Sequence, residues 1–270
     1  MKKTVLITGA SSGIGKAAAL YFSAQGWNVA ATMRNPENEK GLSAKSDVKL
    51  YALDVTKPDT IDATIESAIR DFGKIDVLVN NAGFGADGVF ELMDDDFIRT
   101  QFETNVFGLM RVTRAIIPIF REQKAGVIVQ VASMGGRLTF PLFSIYHGTK
   151  WAVEGFSEAL QFELVQFNIR IKIIEPGAIK TEFYGRSRSF VGLDFEPYKA
   201  FTDKVDKLNQ ETGAKGESPD VVAKTIFQAA NDSSSKLRYA TGSPAPILLL
   251  VRKLLPDAFW FWIVRMSYKI

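Results

Sequence analysis

The chain of 270 residues contains no cysteine and a single histidine, His147. Disulfide frameworks, thiol catalysis and metal sites built from Cys and His are thereby excluded, and no metal centre is expected. Neither sign of charge is in excess: 33 basic and 30 acidic side chains leave a formal net charge of +3, too little to point to nucleic acid. Long apolar runs are also missing. The N-terminus is basic and then apolar only over Val5, Leu6 and Ile7, which reads as a strand and not as a leader. The most apolar stretch, 247–270, is interrupted by Arg252, Lys253, Asp257 and Arg265 and falls short of the ~18 residues needed to span a bilayer. What remains, 46% hydrophobic and 23% charged residues, is the composition of a folded globular chain with ample core. A cytoplasmic location is expected, with contact to a membrane surface left open.

Short β-branched runs recur at 4–8, 28–32, 48–53, 75–79, 126–131, 169–174 and 237–241. They are apolar nearly throughout instead of alternating, as strands covered on both faces must be, and this implies a parallel sheet. The segments 13–26, 57–72, 94–123 and 144–167 carry apolar residues at three- and four-residue spacing and predict crossover helices. Strand and helix in alternation predict one α/β domain over 1–243, a doubly wound, seven-stranded parallel sheet flanked by helices. An aromatic and charged insertion at about 182–217 reads as a lid, and an apolar tail occupies 244–270. Ligands of such sheets bind beyond the carboxyl ends of the strands.

After the first strand comes Thr8-Gly9-Ala10-Ser11-Ser12-Gly13-Ile14-Gly15, opening into a helix. Glycines let the backbone turn tightly against a pyrophosphate, and a helix N-terminus offers N–H groups and partial positive charge. The same residues spell Gly-x-Ser-x-Gly from Gly9 to Gly13, the nucleophile elbow of hydrolases, for which His147 is the one available base. Asp54 and Val55 after the third strand, and Asn81, Ala82 and Gly83 after the fourth, extend the line of small and polar residues into a groove of nucleotide length. Ser133 follows the fifth strand. Tyr146 and Lys150 stand four apart and share one helix face. A free phenol titrates near ~10, and a cation within ~4–6 Å favours the phenolate. Ser133 can hydrogen-bond a substrate oxygen whose charge changes during reaction.

These residues resemble the short-chain dehydrogenase/reductase family. The glycine turn is similar to its Thr-Gly-x3-Gly-x-Gly motif, Asn80-Asn81-Ala82-Gly83 to its sheet-edge motif, and Tyr146-x3-Lys150 with Ser133 to its active-site set. Asn105 in Glu103-Thr104-Asn105-Val106 matches the fourth catalytic residue, and Glu175-Pro176-Gly177-Ala178-Ile179-Lys180-Thr181 matches the segment that meets the nicotinamide. The resemblance covers roughly 3–243. It implies a Rossmann-like fold and hydride transfer between an alcohol and its ketone or aldehyde. Tyr146 would exchange the substrate proton, Lys150 would lower its pKa and hold the nicotinamide ribose, Ser133 would orient the substrate oxygen, and Asn105 would anchor a water. Gly9, Ser11, Ser12, Gly13, Ile14, Gly15, Asp54, Val55, Asn81, Ala82, Gly83, Pro176, Gly177, Ile179 and Thr181 would line the cofactor. A homodimer or homotetramer is also implied.

Folds of this type grip an NAD ribose with an acid at the end of the second strand, whereas NADP-binding ones place a cation there. Here the strand ends Met33-Arg34, and Arg34 suits a 2′-phosphate. NADP(H) is expected, with NAD(H) as the alternative. Residues 133–143 and the tail look like the hydroxysteroid and retinol dehydrogenase-like branch. Leu138, Phe143, Phe183 and Tyr184 are expected to line a pocket for a lipophilic carbonyl or alcohol. The tail is expected to close over its entrance and to meet a lipid or subunit surface. A cofactor-binding regulator without turnover is the alternative from another class, although such a chain would be expected to have lost the Ser-Tyr-Lys-Asn set.

Overall fold

The computed structural model describes residues 2–181 and 189–270. β1 (Thr4–Ile7) is buried along its whole length. α1 (Gly13–Ala24) returns the chain to β2 (Asn28–Met33), and β3 (Val48–Ala52) follows at the sheet edge. α2 (Pro58–Phe72) leads to β4 (Val77–Asn80), and the short strand β5 (Ala86–Gly88) precedes α3 (Asp95–Phe102) and α4 (Leu109–Gln123). β6 (Gly126–Val131), α5 (Ser144–Leu164) and β7 (Ile169–Pro176) form the next crossover. β8 (Ser189–Val191) and α6 (Lys199–Ala214) belong to the insertion. α7 (Pro219–Asn231) leads to β9 (Arg238–Thr241), after which α8 (Ala245–Leu254) and α9 (Asp257–Tyr268) make up the tail.

Seven strands pair in parallel in the order β3-β2-β1-β4-β6-β7-β9, the single Rossmann-like domain expected from the uninterrupted apolar runs. The chain winds outward from β1 to one edge, then crosses back to β4 and winds to the other. Ile7 pairs with Ala31 on one side and Val79 on the other, so the turn after β1 leaves the sheet where the winding reverses. That reversal opens a crevice beyond the strand ends. Alternation within β1 feeds two cores. Val5 and Ile7 join Ala18, Phe22, Val222 and Ile226 of α1 and α7, while Leu6 joins Ile61, Ile116 and Leu160 of α2, α4 and α5.

Two features depart from expectation. The single helix expected over 94–123 is interrupted by a π-helical turn at Glu103–Gly108. A π turn adds one residue without disturbing hydrophobic spacing on either side, so periodicity does not reveal it. β5 and β8 form a separate two-stranded parallel sheet, too short for alternation to be visible. The tail buries Ala245, Leu249 and Trp260 against Leu138, with Met134, Phe140 and Val264 partly buried around them. Truncating a ring packed like that of Trp260 typically costs about 3–5 kcal/mol. Among the described residues, no helix is long and apolar enough to cross a membrane.

Candidate active site

The glycine turn after β1 is closed by its own backbone. Gly9 has φ +68°, and a Cβ there would stand 2.8 Å from Ala82 Cα; one at Gly15 would stand 2.3 Å from the Gly9 carbonyl oxygen. Thr8 Oγ1 accepts from the N–H groups of Asn81 and Ala82, both at 3.0 Å, and Asn81 Nδ2 donates to the carbonyls of Thr8 at 3.0 Å and Gly9 at 3.1 Å. The Asn81 side-chain amide therefore braces the turn, and Thr8, the first residue of the motif, to which the sequence reading gave no separate role, joins the turn to the end of β4. α1 opens at Ser12, whose side chain makes no capping hydrogen bond. The first-turn N–H groups consequently face the crevice without an intrahelical acceptor, a ready seat for an anion. Ser11, Ser12, Gly13, Lys16, Lys180 and Thr181 line a groove of about 960 Å³ here, and a Cβ on Gly13 would meet Thr181 Cγ2 at 3.3 Å. The segment after β7, with Pro176, Gly177, Ile179 and Thr181, thus comes over the glycine turn, and the donors and clearance fit a dinucleotide.

Arg34 is exposed just beyond β2 and makes no ion pair among the described residues. Asp54 has one carboxylate oxygen engaged within its own loop. Its Oδ1 accepts from Thr56 N at 3.0 Å and Thr56 Oγ1 at 2.8 Å. Burial alone would raise its pKa, but these bonds, with Lys57 and Arg34 nearby, hold it below the ordinary value. Val55 is buried, with its Cγ2 only 2.6 Å from where a Cβ on Gly108 would stand.

Ser133 leaves β6 and turns: its Oγ accepts from Gly135 N at 3.0 Å, capping the short turn Met134–Gly136. Tyr146 and Lys150 lie one turn apart near the start of α5, with Lys150 Nζ 5.8 Å from the Tyr146 ring centre and donating to the Val131 carbonyl at 3.0 Å. Burial lowers the Lys150 pKa to about 8 against the opposing pull of Glu154. Asn105 sits in the π turn. Its Oδ1 accepts from Phe84 N at 3.0 Å, and its Nδ2 donates to the Phe84 carbonyl at 2.9 Å and Thr149 Oγ1 at 3.3 Å. Thr149 Oγ1 in turn donates to the Tyr146 carbonyl at 2.7 Å. The Asn105 side chain braces the helical turn that carries Tyr146.

His147 is a strap. Phe140 N donates to Nε2 at 3.0 Å, so Nδ1 carries the proton and donates to the Gly135 carbonyl at 2.8 Å. Burial depresses its pKa to about 4, against the Gly135 bond. With both nitrogens committed, His147 cannot serve Ser11 as a base, which removes the hydrolase alternative.

The substrate side departs further from the sequence reading. Leu138 is 1% exposed and lies in the tail cluster with Leu249 and Trp260; it supports the turn from behind and does not line a pocket. Aliphatic residues in such a loop are equally suited to core and pocket, and the tail claimed this one. Phe143 packs edge-on against Tyr146 at 6.1 Å and His147 at 5.7 Å. Phe183 and Tyr184 lie outside the described residues.

Residues 3–191 match the family model of short chain dehydrogenases. The chain belongs to the short-chain dehydrogenase family. Its relatives include the 3-ketodihydrosphingosine reductase of Bacteroides thetaiotaomicron, 32% identical with 98% of both chains covered. Retinol dehydrogenase 8 of Bos taurus is 33% identical over 98% of this chain and 89% of that protein. Among solved structures, a short-chain dehydrogenase from Streptomyces avermitilis superposes with a TM-score of 0.82 at 35% identity, covering 98% of each chain. ElxO with NADP bound superposes at 0.74 and 30% identity, covering 89% of this chain and 98% of that one. As a short-chain dehydrogenase the chain is an oxidoreductase. The sequence reading of this dehydrogenase gave no role to Thr149, which links Asn105 to the Tyr146 carbonyl, or to Glu154, which continues the Tyr146–Lys150 spacing and is buried.

Proposed function

We propose that this dehydrogenase interconverts a lipophilic alcohol and its ketone or aldehyde with NADP(H), and that Ser133, Tyr146, Lys150 and Asn105 form its catalytic set. The observation that carries the reading is Lys150, buried, bonded to the Val131 carbonyl and 5.8 Å from the Tyr146 ring beside the Ser133 turn. The nicotinamide, when bound, supplies or accepts the hydride. In reduction the Tyr146 phenol gives its proton to the carbonyl oxygen; in oxidation the phenolate takes it back. The Lys150 ammonium favours that phenolate and hydrogen-bonds the ribose, and Ser133 Oγ–H donates to the same substrate oxygen. Asn105 holds the π turn against Phe84 and Thr149, and its carbonyl anchors the water between Lys150 and solvent.

Cofactor phosphates would sit on the N-terminus of α1, between the glycine turn and Thr181. Arg34 would take the 2′-phosphate. Glu39, five residues later, supports this: it is turned inward onto Lys16 at 2.6 Å and is not offered to ribose hydroxyls. NADP in ElxO supports the same preference. The lipophilic class is supported by the names of the two relatives and by the aromatic ring of Phe143 packed against Tyr146. The tail adds a partner. α8 exposes Ile247, Leu250 and Leu254, and α9 exposes Phe259, Trp262 and Met266, each at i, i+3, i+7 spacing, with Lys253, Arg265 and Lys269 beside them. Such stripes suit the surface of an anionic membrane.

The test is the absorbance near ~340 nm on mixing protein, NADPH or NADH, and a panel of long-chain, steroidal and retinoid carbonyls, with and without anionic vesicles. Consumption of NADPH with lipophilic carbonyls is expected, together with co-sedimentation with the vesicles. No consumption of either cofactor across the panel would reject the reaction, and no vesicle binding would reject the membrane contact.

A further inference from the structure

Lys150 is buried, and its one hydrogen bond goes to a neutral carbonyl. A buried ammonium needs a counter-charge, yet among the described residues no carboxylate lies within ion-pair distance of it. One turn further along α5 is Glu154, 4% exposed. Its Oε2 accepts from Arg238 Nε of β9 at 2.9 Å, while its Oε1 is buried with no hydrogen-bond partner. Around it stand the charged groups of every neighbouring element. Glu175 at the end of β7 is 2% exposed; it accepts from Arg137 NH1, just after the Ser133 turn, at 3.2 Å and lies 3.9 Å from Arg238 Nε. Glu158 of α5 takes the other end of Arg238. Three carboxylates thus face two guanidiniums, and the surplus negative charge matches the Lys150 ammonium. The packing is close: a Cβ on Gly136 would stand 2.8 Å from Glu154 Cγ and 2.9 Å from the Lys150 carbonyl oxygen.

We infer that Glu154 is a positioning residue for the proposed Tyr146–Lys150 pair: one turn beyond Lys150, it supplies the counter-charge that keeps the buried ammonium protonated, while Arg238, Glu175 and Arg137 hold α5, β9, the end of β7 and the Ser133 turn in one arrangement. The inference rests on the catalytic reading above and adds to it where the set's charge is balanced. Burial, reinforced by Glu175, raises the Glu154 pKa to about 7 against the pull of Arg238 and Arg137, so its charge develops near neutrality and is in place through the alkaline range.

The experiment is the pH profile of NADPH-dependent ketone reduction in wild type, Glu154→Gln and Glu158→Gln. The amide introduced by Glu154→Gln can still accept from Arg238 but carries no charge. Loss of a nearby negative charge favours neutral Lys150, so the alkaline fall in kcat should move toward acid by on the order of one pH unit. Glu158→Gln breaks the other contact of the same Arg238, in solvent, and should leave that fall in place. An unmoved profile in Glu154→Gln, or an equal loss of kcat at every pH, overturns the inference and assigns Glu154 to packing. Should Glu154→Gln not fold, carboxyl 13C NMR reads the same coupling. The glutamate titrating near neutrality must shift upward in Lys150→Met, and an unmoved signal overturns the inference equally. Full activity in Tyr146→Phe would instead remove the catalytic reading beneath it.

Discussion

Lys16 with Glu39 and Lys150 with Glu154 are the same two side-chain types joined in two ways, one at each end of the crevice. At the outer end the ammonium touches the carboxylate at 2.6 Å, and the N–H groups of Gly41 and Leu42 donate to the same carboxylate at 2.9 and 2.6 Å. Burial would raise Glu39, but Lys16 and these two N–H groups outweigh it and hold the carboxyl near 2. At the inner end the two groups stand a helical turn apart without contact, and burial wins at both: Lys150 falls to about 8 and Glu154 rises to about 7. Direct contact fixes ionisation and clamps a loop, whereas separation in a dry setting leaves both charges responsive to pH. On the proposed reading, the outer pair would brace the loop after β2 beside the cofactor groove, and the inner one would keep the Tyr146–Lys150 pair adjustable.

The largest break in this comparison should come from the inner end. Tyr146→Phe is expected to lower turnover by ~10²–10⁴, with NADPH still bound, because the ring stays while the proton-transfer group goes. Lys150→Met should cost both turnover and cofactor affinity, and Lys16→Met should leave kcat near wild type. Steady-state rates with cofactor titrations check all three, and equal kcat losses in the two lysine variants would erase the distinction. Next in size is Arg34→Ala, which would remove the proposed charge-assisted phosphate contact and should weaken NADPH roughly 10- to 100-fold while sparing NADH. Calorimetric titration of both dinucleotides decides it; equal weakening would make Arg34 a general surface charge. The smallest effect belongs to Glu39→Gln, a loss of about 1–3 kcal/mol in stability without a change in chemistry. The folded-state pKa of Glu39 lies below its ordinary 4.5. Its contribution is therefore full above that value and lost as pH falls toward 2, so the gap in Tm between variant and wild type should close over that window.

The sheet was legible because burial on both faces writes itself as nearly continuous apolar runs in the central strands β1, β4 and β6, while the edge strands β3 and β9, with Lys49 and Arg238, carry a weaker signal. The glycine turn and Tyr146–Lys150 were legible because backbone clearance and helical spacing are local. What escaped depends on partners distant in sequence. The partners of Asp54 and Asn81, Thr56 and Thr8, are not announced by the motif spacing, and Leu138 looks like pocket until Trp260, near the far end of the chain, covers it. Glu154 reads as one more charge on a helix until β7 and β9 bring Glu175 and Arg238 against it. The π turn at Asn105 left no trace, since a one-residue surplus shifts phase without altering composition.

His147 also has an experimental consequence. It is the lone histidine of the chain, and its two nitrogens are fastened to Gly135 and Phe140, on either side of the turn that carries Arg137 and Leu138. In proton and nitrogen spectra its imidazole gives one isolated set of resonances, free of overlap and needing no site-directed label. The Nδ1 proton, bonded to the Gly135 carbonyl on a buried ring, is expected to exchange slowly with solvent. Faster exchange on adding cofactor or substrate would report any loosening of the turn beside Ser133, in the unmodified chain.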